Sequence, residues 1–255
     1  MKSIWVIARN TFLDFIKGKV FYASLFAGVV LLVVTFVSVE FTYGVAGRVC
    51  LDIGLGLLSL STLLFAIILG TQAIAKEVEG RTVFMIVTRP VTREQFYLGK
   101  MLGVILLLFV NFSFLMFLVT MLSSFYESFL HPWQYLASFY ILMEAMIILF
   151  FCSLCSIMIS QSLTVVLAIL VYSAGHTIPQ LIEANLIKKL PMIQNIFKIL
   201  MSIIPNFHFL NVRDYILFAN EIPSNYFLQS FVYFVFYAFC LILLGMLRIR
   251  KMNFE

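Results

Sequence analysis

Glu144 is the residue in this sequence best placed to do chemistry. It stands inside Tyr135–Ile182, a long run that is otherwise almost entirely apolar. A carboxylate at the centre of a bilayer costs at least ~2.5 kcal/mol, so it must be protonated, paired, or face a wet cavity. Counting along neighbouring apolar runs puts Asn111 and His176 at a similar depth, with Tyr172 one turn from His176. Asn111, Glu144, Tyr172 and His176 are therefore expected to form an intramembrane polar cluster. It would serve as a substrate or proton path, or as an interhelical hydrogen-bond set that only holds the bundle together. For Asn111 and Tyr172 the second role fits better; for Glu144 both stand.

Catalytic patterns do not appear. There is no GxxxxGK[ST], so the chain is not expected to hydrolyse ATP alone. HExxH is absent, His131, His176 and His208 lack metal-ligand spacing, and no Asp cluster suits a magnesium-dependent lipid transferase. Cys152 and Cys155 form a CxxC, but with no histidine or second CxxC nearby they read as small packing residues at i,i+3. Three of the four cysteines lie within apolar runs, so no disulfide framework is implied. The expectation is no catalytic residue, no metal and no cofactor.

The elements that must position these residues follow from composition. Of 255 residues, 63% are hydrophobic and 11% charged, against about 25% charged in a soluble domain. The bilayer is the solvent that suits such a chain. The net charge of +5 needs no nucleic acid, because the basic residues cluster beside apolar runs, as membrane orientation requires. The fold expected is all-α and polytopic, with lipid as its main neighbour.

Residues 1–19 do not span. Trp5, Ala8, Phe12, Phe15 and Ile16 share one helical face, with Ser3, Asn10, Asp14 and Lys17 opposite. This predicts a helix lying flat in the interface, its Lys2, Arg9, Lys17 and Lys19 near anionic phosphates. A cleavable signal is not expected, since the first apolar run is too long for an h-region and no A-x-A-like site follows. Six spans are expected at 20–39, 53–75, 101–122, 135–159, 163–182 and 226–247. Gly54, Gly56, Ser59, Ser61 and Thr62 offer small surfaces for close helix contact in the second. Tyr135–Ile182 as one helix would be ~72 Å long, so it must turn back, and Ser160-Gln161-Ser162 is its only polar break. Polar loops are expected at 40–52 and 123–134. Residues 183–225 are irregular, with Pro191, Pro205 and Pro223, and include an amphipathic segment at 192–204 too short to span. With the N-terminus inside, 12 of the 17 Lys and Arg fall on the cytoplasmic side, which puts both termini there.

Lys76–Lys100 (KEVEGRTVFMIVTRPVTREQFYLGK) is the one long charged segment between two apolar runs. Val83–Val87 is a short apolar piece ended by Arg89-Pro90, because the residue before proline is pushed out of the helical region. Thr92 is then a fitting N-cap for a new helix carrying Arg93 and Glu94. Val83, Phe84, Ile86 and Val87 form an apolar knob rimmed by charge, which suits a partner's groove or lipid contact equally.

This run resembles the segment between spans two and three of ABC-2-type permeases, the membrane halves of ATP-binding-cassette exporters. The resemblance rests on Glu77, Glu79, Gly80, Thr82, Arg89, Pro90, Val91, Thr92, Arg93, Gly99 and Lys100, with Arg81 as a departure from the family's Glu-Gly-Thr. The six-span layout and Ile204-Pro205-Asn206 before the last span are similar to the family as well. The run looks most like permeases of copper-enzyme maturation systems. The resemblance implies that Val83–Val87 is a coupling helix docking an ABC ATPase subunit, with ATP bound by that partner. Glu77, Glu79, Gly80, Arg81, Thr82, Val83, Phe84, Ile86, Val87, Arg89, Pro90 and Arg93 would form the docking set. It also implies a second permease copy, most simply a homodimer, in a bacterial inner membrane, with room for a periplasmic accessory protein. The function implied is ATP-driven export or envelope assembly. The alternatives are a non-transporting anchor that transmits force to a periplasmic maturation or motility machine, and a carrier or channel needing no ATPase.

Overall fold

Inside a bilayer no water is available to backbone N–H and C=O groups, so a chain this apolar must satisfy them within helices. The computed structural model describes residues 2–41, 46–79, 92–126, 132–183, 195, 197, 200, 201, 204–212 and 225–251. The expected coupling helix at 83–87 lies outside these residues, as do most of the amphipathic segment at 192–204 and His131. Among the described residues every regular element is helical: α1 (Lys2–Ile16), α2 (Lys19–Glu40), α3 (Ala46–Glu79), α4 (Arg93–Tyr126), α5 (Pro132–Ser156), α6 (Gln161–Glu183), a 3-10 turn (Phe207–Leu210) and α7 (Tyr226–Lys251). Six of them, α2 to α7, are long and apolar enough to cross a membrane. The protein is an all-α polytopic membrane protein.

The helices outrun the apolar windows in the sequence. α3 and α4 are each 34 residues long, or ~51 Å against a ~30 Å hydrocarbon core. The polar loop expected at 40–52 is shorter than anticipated, because α3 begins at Ala46 and buries Cys50 and Leu51. The loop expected at 123–134 is likewise trimmed at both ends, α4 running on to Tyr126 and α5 starting at Pro132. Proline suits a first helical position, where its missing N–H would have had no partner. The break between α5 and α6 comes earlier than the polar triplet. α5 ends at Ser156, and Met158 and Ile159 turn by donating to the Cys155 carbonyl at 2.8 and 2.9 Å.

Side-chain contacts show how the spans alternate. Tyr126 donates to Glu40 at 3.0 Å, so α2 and α4 end together. Ser123 meets Gln134 and Tyr97 meets Ser153, so α5 runs against α4. α3, α4 and α5 form the centre. α5 buries 72% of its apolar window, against 17% for α2 and 22% for both α6 and α7.

Lipid tails are as apolar as leucine, so close packing rather than the hydrophobic effect holds these helices together. Glycine supplies it. A Cβ at Gly70 of α3 would sit 2.7 Å from both the Leu149 carbonyl oxygen and Cys152 Cβ of α5. Gly54 meets Val119 across α3–α4, and Gly28 meets Leu115 across α2–α4. Buried hydroxyls are satisfied locally, as Thr35, Thr62, Thr71 and Ser138 each donate to the carbonyl four residues back. Of the small residues expected at the α3 contacts, Gly54 and Thr62 are buried, while Gly70 carries the closest approach.

α1 uses a face rotated from the expected stripe. Ala8, Thr11 and Phe15 are buried, whereas Trp5 is 62% exposed. The reason lies on α4, where Gly99 and Gly103 lack the Cβ atoms that would strike Ile7 and the Ile4 and Ala8 carbonyls. Ile4, Ile7, Ala8 and Thr11 of α1 take this close contact, and its Trp5 is left outward.

Gly70→Ala should lower the thermal midpoint of the detergent-solubilised protein, the overpacking costing about 1–3 kcal/mol. Ala23→Val, at an exposed position of α2, should leave it in place. An unchanged midpoint for Gly70→Ala would mean that α3 and α5 are not held at this distance.

Candidate functional site

Glu144 lies midway along α5, the most enclosed helix, and its side chain is 8% exposed. His176 of α6 faces it, with Nε2 3.5 Å from Glu144 Oε2. That separation allows an ion pair but is too long for a good N–H···O hydrogen bond, and Nε2 has no hydrogen-bond partner. Tyr172, one turn earlier on α6, lines the same cavity as Glu144 and meets His176 edge-on, with ring centroids 4.7 Å apart. Its hydroxyl lies 3.5 Å from that of Ser59 on α3. Three of the four intramembrane polar residues expected from the sequence are therefore together.

Asn111 stands apart from them. It is fully buried and donates to Ser24 of α2 at 2.7 Å, and Ser24 in turn donates to the Phe21 carbonyl. This bond ties α2, the least enclosed span, to α4. Equal depth did not mean equal azimuth.

The fourth wall of the site comes from the 3-10 turn. Phe207 is fully buried, stacked on His176 at 5.5 Å and tilted against Tyr172 at 5.4 Å. The turn can come this close because Gly175 has no side chain; a Cβ there would strike the Pro205 carbonyl and the Phe207 ring. On its other side the Asn206 N–H donates to the Tyr233 hydroxyl of α7 at 2.7 Å, while Asn206 Oδ1 caps the turn by accepting from the His208 N–H. Between these walls is a cavity of about 370 Å³, lined by Ser59, Glu144, Tyr172, His176, Thr177 and Asn211 among others. That is within the ~300–1,000 Å³ range of small-ligand sites.

The arrangement can hold a proton. One proton on either Glu144 or His176 leaves the pair neutral, and a second makes it cationic. Either neutral form is tolerable at low dielectric, where a lone charge is not. Ser59, Gly175, Phe207 and Asn211 were not read as parts of this site. The available signals were a glycine directly before His176 and the Ile204-Pro205-Asn206 break. Cys152 is fully buried and packs on Gly70. Among the described residues no three His, Cys, Asp or Glu side chains are grouped as metal ligands.

The docking stretch is described only at its two shoulders. Glu77 and Glu79 belong to the last turn of α3, and Arg93 is the first residue of α4. Gly80, Arg81, Thr82, Val83, Phe84, Ile86, Val87, Arg89 and Pro90 lie outside the described residues. Thr92 caps α4 reciprocally, accepting from the Gln95 N–H at 3.3 Å and giving its own N–H to Gln95 Oε1 at 3.4 Å.

The foot of α4 is gripped from three sides. α1 packs on Gly99 and Gly103. Tyr97, fully buried, reaches Ser153 of α5 at 3.2 Å. Ser153 gives its proton to the Phe150 carbonyl, so Tyr97 is the donor. The same phenol fits against α7 only because Gly245 has no Cβ. Arg93 donates to the Arg250 carbonyl and Glu94 lies 3.9 Å from Arg250, exposed contacts worth under about 1 kcal/mol.

In a double-mutant cycle on thermal stability, Glu144→Gln and His176→Gln should couple by about 0.5–3 kcal/mol. Asn111→Ala should add to Glu144→Gln within about 0.5 kcal/mol, as for distant sites. Additivity of the first pair would dissolve the site; strong coupling of the second would restore the four-residue cluster.

Comparison of the chain with protein-family models finds no match, and comparison with curated proteins finds none either.

Proposed function

We propose that this chain is the membrane-spanning subunit of an ATP-driven export or envelope-assembly system. It works with separate ATPase subunits and a second permease copy in a bacterial inner membrane, both termini cytoplasmic. The observation that carries the reading is the charged Glu77–Lys100 run, similar to the ABC-2 docking segment, entering a helix whose foot is gripped by three others. Motif and grip support each other physically. A docking element transmits force only if the helix behind it cannot yield locally. Tyr97 is buried between α5 and α7, and Gly99 and Gly103 bed α1 onto α4. A push on the α3–α4 connection therefore moves α1, α5 and α7 with α4, in the manner of a rigid-body switch. Val83, Phe84, Ile86 and Val87 supply the apolar anchors for the ATPase cleft, with Arg81, Arg89 and Arg93 at the rim.

The same grip serves a subunit that passes force to a periplasmic machine and moves no cargo. A second reading, a proton-linked carrier needing no ATPase, is favoured by one observation, the Glu144–His176 pair in its cavity.

Co-expression with a candidate ABC ATPase subunit from the same organism, with the affinity tag on this chain alone, separates these readings. Stoichiometric ATPase should co-elute. Replacing Phe84 and Arg89 by Ala should remove it, each anchor contributing about 2 kcal/mol or more, while the permease keeps its gel-filtration position. A folded protein that brings down no ATPase would overturn the proposal and advance the carrier.

A further inference from the structure

The Glu144 cavity continues into a groove on the outside of α6. Ser173 and Thr177 line the cavity and are exposed, so it opens past them. The same two residues line the groove, an open space of about 410 Å³ whose other walls are Leu170, Val171, Ala174, Ile178 and Ile204. Cavity and groove thus form one path with two characters. At its inner end Glu144 Oε2 and His176 Nε2 stand 3.5 Å apart, and Nε2 is buried with no hydrogen-bond partner. The rings of Tyr172 and Phe207 lie against His176 there. At its outer end the walls are apolar apart from Ser173 and Thr177.

The inner end calls for a donor. A carboxylate only accepts, and a neutral imidazole with its proton on Nδ1 accepts at Nε2. One nitrogen carrying several N–H groups can serve both atoms at this separation. A positive charge on that nitrogen offsets an ionised Glu144 at a depth where a lone charge is costly, and it suits the neighbouring ring of Tyr172. A metal ion meets the charge but not the rest. No three His, Cys, Asp or Glu side chains gather to ligate one among the described residues, and an ion makes no use of the apolar groove. We propose that this path binds an amphiphilic primary amine, its ammonium donating to Glu144 and His176 and its hydrocarbon arm passing Ser173 and Thr177 into the groove. The inference rests on the geometry of the Glu144–His176 pair and its opening. The ATPase reading neither stands nor falls with it.

Binding of radiolabelled n-octylamine to the detergent-solubilised full chain, read by scintillation proximity, tests it. Unlabelled n-octylamine should displace the label at about tenfold lower concentration than n-octanol, which lacks the charge, or octyltrimethylammonium, which lacks the N–H groups. Tenfold is the worth of one charge-assisted hydrogen bond. n-Butylamine, with the same head and too short an arm to reach along the groove, should compete at least about tenfold less well than n-octylamine. Glu144→Gln should lower the affinity for n-octylamine about tenfold. Thr177→Phe, at an exposed position of α6 where folding is safe, should close the path and abolish binding. No saturable binding of n-octylamine, or equal competition by the amine, the alcohol and the quaternary ion, would overturn the proposal. So would an affinity that survives Glu144→Gln, or, should that variant not fold, binding indifferent to Thr177→Phe.

Discussion

Helix surfaces in a bilayer gain nothing from hiding apolar area, so how closely two backbones approach decides whether they stay together. In this protein that approach is set at Gly70, where α3 lies directly against the Leu149 carbonyl and Cys152 of α5. The rest is arranged around that pair. α4 packs on α3 through Gly54, α2 on α4 through Gly28, and α1 on α4 through Gly99 and Gly103. At each of these four contacts one of the two helices lacks a Cβ. Hydroxyls then close the account of polar groups by bonding within their own helix, which leaves the faces between helices free to pack.

The same constraint explains why the polar side chains fall into separate sets. A buried amide or carboxyl, unlike a hydroxyl bonded to its own helix, takes its partner from a neighbouring helix, and the packing of the helices decides which neighbour is within reach. Asn111 faces α2 and takes Ser24; Glu144 faces α6 and takes His176, with Tyr172 in the same cavity wall. Gly175 admits Phe207 over the top of that pair. The resulting cavity is walled by side chains from α3, α5, α6 and the segment after the 3-10 turn, so it depends on all of them keeping their places.

α5 joins the two regions where function is sought. Ser153 anchors the foot of α4 through Tyr97, and Glu144 lies ~14 Å further along the same helix. A helix buried on nearly every side transmits displacement along its axis with little bending. On the proposed reading, a displacement at the α3–α4 end would be passed along α5 toward Glu144. This link needs no contact between the regions other than the helix they share.

Much of the architecture was legible in the chain. Apolar runs of about 20 residues mean membrane-crossing helices because backbone groups have no alternative in hydrocarbon, and the Ser160-Gln161-Ser162 break had to be near a reversal because one helix through it would overrun the bilayer. Thr92 as a helix cap followed from local chemistry and is seen with Gln95 as its reciprocal partner. A carboxylate inside a span needs company, so Glu144 with His176 and Tyr172 could be read from depth alone. What depth cannot give is the rotation of each helix about its axis and which helix lies beside it. Those are set by the glycine contacts between segments far apart in sequence, and so only the tertiary structure sent Asn111 to Ser24, turned Trp5 of α1 outward, and brought Phe207 over His176.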